Sequence, residues 1–140
     1  MTTTPNTKLE LDFVSTFIVR PKRARYSGLV VSPHLRAKFL DALPAFSDFD
    51  PRFKVRLSRS EDSSRGYLKE LHRRGADLSG YLISTDHGLD GHTLSLADAV
   101  TQVHGRCDGT IIVCTSTLAY YEGDLKYRFI LSSQPLGDAR

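Results

Sequence analysis

The segment Asp86-His87-Gly88-Leu89-Asp90-Gly91-His92 gathers two imidazoles and two carboxylates within seven residues. Imidazole nitrogen and carboxylate oxygen together suit a divalent ion such as zinc or iron. Without a metal, the same groups could exchange protons in a small hydrolase. The spacing does not fit a calcium loop: with Asp86 first, Gly88 takes the third position and Ala97 the twelfth, where a bidentate Glu is needed. The competing reading is a polar connector whose Gly and Asp residues supply turn geometry. Asp86, His87, Asp90 and His92 are therefore a candidate polar or metal site, no metal or cofactor is assigned, and enzymatic activity is left open.

Two further groups could bind rather than react. Arg20, Lys22, Arg23 and Arg25 crowd around Pro21. Residues 1–59 carry 11 Lys/Arg against 5 Asp/Glu, whereas residues 60–140 carry 8 against 11. The net +3 is thus concentrated in the N-terminal half, where an anionic partner is expected. With Arg36, Lys38, Lys54, Arg56 and Arg59, these residues could build a phosphate-binding face, with tyrosines as stacking surface. No nucleic-acid recognition motif accompanies them.

The other group is Tyr120, Tyr121 and Tyr127, flanking the turn Glu122-Gly123-Asp124. Neighbouring strand residues point to opposite faces. One of Tyr120 and Tyr121 is then expected in the core and the other near the hairpin tip, as an interface aromatic. An exposed strand edge there could pair with a second protein or a second copy of the chain.

Nucleophiles are sparse. There is no Gly-x-Ser-x-Gly elbow, phosphate-cradling glycine loop or Cys-x-x-Cys pair. Cys114 lies in the apolar run Thr110–Thr115 and reads as packing. It could pair with His87 or His92 only if the fold brought them together. His72 and His104 each fall near a helix C-terminus, where the dipole favours an imidazolium.

The elements that must position these groups are short. Leu11, Val14, Phe17 and Ile18 recur at helical spacing over residues 9–19. Pro21 then opens a helix containing Tyr26, Leu29 and Val30. Ser32-Pro33 starts a third helix, with Leu35, Phe39, Leu40 and Leu43 inward and Arg36 and Lys38 facing water. Phe53, Val55 and Leu57 alternate with Lys54, Arg56 and Ser58, which predicts a strand with a basic outer face. Ser60-Glu61-Asp62 is expected to open a helix through Leu71 that Gly66 weakens. Tyr81–Ile83 reads as a strand, and Ser95 caps a short helix. Residues 110–115, 118–121 and 127–131 predict a hairpin or three-stranded meander whose first strand is central.

The sum is an α+β fold: one small domain over 9–132, with a mainly antiparallel sheet packed on several short helices. Residues 1–8 and 133–140 are expected to be flexible tails. The polar start, the two cysteines and the lack of a long apolar run point to a reduced, cytoplasmic protein with no membrane partner. The leading functional expectation is a non-enzymatic protein-interaction or regulatory module. A nucleic-acid-associated protein using the basic N-terminal half and a small hydrolase at the Asp86–His92 loop are the alternatives.

Overall fold

Three short helices come first. The Asn6 side chain accepts the Leu9 N–H and opens α1 (Thr7–Phe17). This computed structural model describes residues 5–125 and 127–134, so residues 1–4 and 135–140 of the expected tails lie outside the described residues. The helical start at Thr7 shows that residues 7 and 8 are not part of a tail. Pro21 sits in a single 3-10 turn, Arg20–Lys22, that feeds α2 (Arg23–Val31). The Ser32 hydroxyl accepts the Leu35 N–H at 3.3 Å, and the turn it makes leads into α3 (Arg36–Ala42).

The sheet has six strands: β1 (Lys54–Val55), β2 (Ser79–Ser84), β3 (Thr93–Ser95), β4 (Thr110–Thr115), β5 (Leu118–Glu122) and β6 (Arg128–Ser132). Their spatial order is β1-β6-β5-β4-β2-β3, and every pairing is antiparallel. The α+β reading holds, and the C-terminal meander is its centre. The expected strand over Phe53–Leu57 shrinks to two residues. Asp50-Pro51 sets a 3-10 turn over Pro51–Phe53, with the Asp50 carboxylate accepting the Arg52 N–H at 3.0 Å.

Two helices lie between the strands. α4 (Ser64–Arg73) is capped by Ser63, whose hydroxyl accepts the Gly66 N–H at 2.9 Å. The helix does not open at Ser60-Glu61-Asp62 as expected, and Arg128 and His104 hold the Asp62 carboxylate. Residues Arg59–Glu61 form a 3-10 turn instead. Gly66 has a reason to be there: a Cβ would collide with the Glu61 carbonyl, which packs on the first turn of α4. α5 (Leu96–Val103) begins as expected, with the Ser95 hydroxyl accepting the Asp98 N–H.

Strand register explains the core. Ile83, Ile111, Tyr121 and Phe129 form one cross-strand row, and Leu82, Ile112, Tyr120 and Ile130 form the next. The rows face opposite ways because adjacent strand residues do. The first meets the aromatic layer of α1–α3 and the turns after them, with Phe13, Phe17, Phe39, Phe46 and Phe49. The second meets Tyr67 and Leu71 of α4 and Leu96, Ala99, Val100 and Val103 of α5. Helices therefore cover both faces of the sheet.

That arrangement overturns one expectation. Tyr120 and Tyr121 point to opposite faces, but both are fully buried. Antiparallel sheets often leave one face in water, whereas both faces are covered here. The Tyr121 hydroxyl donates to the Leu43 carbonyl, and that of Tyr120 donates to Glu122 at 2.7 Å. Nor does β5 offer an edge, because β4 and β6 flank it, and β1 covers β6 at Ile130 and Leu131. The edges are β1 and β3, of two and three residues, and such short strands give little backbone for another chain to pair with.

Candidate functional site

The Asp86–His92 segment is a tight connector. Asp86 accepts the Gly88 N–H on Oδ1 at 2.8 Å, and its Oδ2 takes Arg106 at 2.6 Å. Asp90 turns inward and binds Arg36. His87 is exposed, while His92 is half-buried and its carbonyl accepts the Leu82 N–H. Among the described residues, no group of three or more His, Cys, Asp and Glu side chains is placed to hold a metal ion.

The basic N-terminal group is partly committed to local structure. Lys22 lies 3.4 Å from Asp48, Arg23 donates to the Ile18 carbonyl at 2.8 Å, and Arg25 lies over the Tyr26 ring. Arg20 is exposed. Of the interface tyrosines, only Tyr127 reaches the surface. It accepts a hydrogen bond from Lys54, and Arg56 stacks on its ring at 4.7 Å. The Lys54 hydrogen bond, against some burial, lowers the pKa of this phenol.

The expectation that Arg36 faces water is also wrong. It is buried, and its guanidinium binds both oxygens of Glu10 at 2.8 and 2.7 Å and both of Asp90 at 2.6 and 2.9 Å. Tyr81 closes this network by donating to Glu10 at 2.7 Å. Burial alone would lower the Arg36 pKa, but the bonds to Asp90 and Glu10 raise it. The network ties α1, α3 and the loop after β2 together.

A second buried arginine lies on the opposite side of the sheet. Arg128 donates to Glu122 at 2.8 Å and to Asp62 at 2.9 Å. Glu122 also accepts the Gly105 and Cys107 N–H groups and the Tyr120 hydroxyl. Burial would raise the Glu122 pKa, but the hydrogen bonds from Arg128 and Tyr120 lower it. Asp62 is likewise lowered, against burial, by His104 and Arg128. His104 lies 3.1 Å from Asp62 at the rim, and the Cys107 sulfur is 4.0 Å from Arg128. Cys107 has a left-handed φ of 56°, which its N–H bond to Glu122 holds in place. Cys114 is packing: burial pushes its thiol up to about 12, which leaves it protonated and inert at neutral pH.

The Arg128 network does something beyond filling the interior. By gripping Asp62 it fixes the turn before α4, and that turn forms one end of a surface groove of about 650 Å³. The groove runs between Arg56, just past β1, and the exposed side of α4. Arg65, Lys69 and Arg73 line it from the helix, and Glu61 and Glu70 lie among them. Arg73 binds Glu70 through both guanidinium arms, at 3.0 and 2.6 Å, and Arg74 shares that carboxylate at 2.7 Å. Arg65 and Lys69 make no ion pair among the described residues. Arg56 offers its charge beside the Tyr127 ring.

No protein-family model matches the chain, and no curated protein or solved structure is detectably similar to it.

The groove joins Arg56, already singled out from the sequence, to Arg65 and Lys69, which were not. Their signal was present. Arg65, Lys69 and Arg73 recur every four residues, and that spacing places them along one side of a helix. The apolar stripe of Tyr67, Leu68 and Leu71 is the more conspicuous pattern in this segment.

Proposed function

We propose that the protein is a non-enzymatic interaction module that binds an anionic partner in the groove between β1 and α4. One observation carries the reading: Arg56, Arg65 and Lys69 converge on one concavity without a carboxylate of their own. The contrast with Arg36 and Arg128, each held by two carboxylates, gives that observation its weight. Uncompensated cations in a concave surface focus field and attract a partner of opposite charge. The Asp86–His92 loop supports no comparable case for chemistry, since Asp86 and Asp90 are held by Arg106 and Arg36.

Retention of the full chain on immobilised heparin tests the location. The paired substitution Arg65→Glu with Lys69→Glu should lower the eluting salt concentration more than Arg20→Glu with Arg25→Glu, which changes net charge equally. An equal drop for both pairs would show general attraction to a polyanion and remove the groove from the proposal.

A further inference from the structure

We infer that the occupant of this groove is an extended, carboxylate-bearing protein segment with acidic residues at alternate positions. The inference rests on the groove being the binding surface and names the partner it fits.

Spacing is the first argument. Arg65 and Lys69 stand one helical turn apart, with Arg73 a further turn on, so successive cations advance about 6 Å along α4. Alternate residues of an extended chain advance about 6.7 Å and point the same way. An acidic strand laid along α4 therefore presents a carboxylate to Arg65 and the next to Lys69. Arg56, on the facing wall, can take a carboxylate from the same segment. Guanidinium groups bind carboxylates through two parallel hydrogen bonds, which adds geometric selection to charge.

A carboxylate in the groove is the second argument, and it separates a protein from a nucleic acid. Glu61 lies among the cations, while Glu70 is held by Arg73 and Arg74. A DNA phosphodiester backbone carries a charge at every step and no donor between charges, so it can only repel a carboxylate there. An alternating peptide turns its neutral side chains away from the groove and can place a backbone N–H opposite Glu61. The Glu61 carboxylate already accepts from Ser58 at 3.1 Å and has capacity for another donor. Among the described residues no aromatic ring lines the groove, whereas proteins that hold single strands without sequence preference stack bases on such rings.

The deciding measurement is fluorescence anisotropy with the full chain and two labelled probes of equal net charge. One is a twelve-residue peptide of alternating Glu and Thr, and the other is oligothymidylate. The peptide should bind, its Kd should rise with salt, and Arg65→Glu with Lys69→Glu should weaken it at least tenfold. A peptide with the same composition but its glutamates in one block should bind more weakly than the alternating one. Glu61→Gln should improve oligothymidylate binding more than peptide binding. Thermal denaturation of each variant checks that these exposed positions leave the fold intact.

Tighter oligothymidylate binding that depends on Arg65 and Lys69 would overturn the protein partner and leave the groove standing. Equal binding of blocked and alternating peptides would overturn the spacing argument. If neither probe responds to the Arg65 and Lys69 substitutions, both the partner and the groove fail.

Discussion

Arg36 and Arg128 occupy opposite sides of the sheet, and each bridges a fully buried glutamate to a more accessible aspartate. Around Arg36 the aspartate is nearly enclosed, with Asp90 at 12% side-chain exposure, and Tyr81 completes the shell. Around Arg128 the aspartate is one-third exposed, and His104 and Cys107 stand at the rim. The glutamates differ as well. Glu10 is held by Arg36 and Tyr81, whereas Glu122 has Tyr120 and two backbone N–H groups besides its arginine. The same ionic motif thus serves two ends. One is a sealed clamp between helices and sheet. The other is a partly exposed anchor that holds a surface turn, and with it one end of the basic groove.

The largest expected effect is at the sealed clamp. Arg36→Ala strands Glu10 in the interior and should cost about 3–5 kcal/mol. Urea unfolding would show this as a lower midpoint with little change in slope. Arg128→Ala should cost less, about 2–3 kcal/mol, because Glu122 retains three other donors. Equal losses for the two arginines would erase the distinction between clamp and anchor.

Acid gives the next test. The pKa values of Asp62 and Glu122 are lowered in the fold. A lowered carboxylate stabilises the native state above its unfolded pKa, and that contribution disappears as pH falls through the folded one. Stability should therefore be full at neutral pH and decline below about pH 4. Asp62→Asn with Glu122→Gln should flatten that decline while lowering stability at neutral pH. An unchanged acid slope would mean that these two groups do not govern it. The smallest effect belongs to the rim: His104→Gln should shift stability by no more than about 0.5 kcal/mol, as for other partly exposed pairs. A larger loss in chemical denaturation would place His104 among the anchor's essential parts.

Local signals in the sequence carried much of the fold. The Ser95 cap, the Pro21 turn that feeds α2 and the β-branched run at Thr110–Thr115 all act within a few residues, so they are legible directly. Layering is not. Nothing within Leu118–Glu122 says that α4 will cover one face while α1–α3 cover the other, so the adjacent tyrosines were assigned one wet side. Arg36 failed for the same reason: its helical position is polar, but Glu10 and Asp90 arrive from distant segments. The basic outer side of β1 was legible, whereas the opposing wall from α4 needed a tertiary contact. That α4 turn in turn depends on Asp62 meeting Arg128, 66 residues away.

The aromatic layer has a consequence for synthesis. Phe13, Phe17, Phe39, Phe46 and Phe49 all precede the strands that cover them, Ile111, Tyr121 and Phe129 among them. Chains leave the ribosome N-terminus first. The nascent protein therefore carries a sticky, unroofed phenylalanine surface for much of its translation. It is only relieved when the last three strands emerge, so a truncation before β4 should yield a chaperone-bound or aggregated product rather than a smaller folded one.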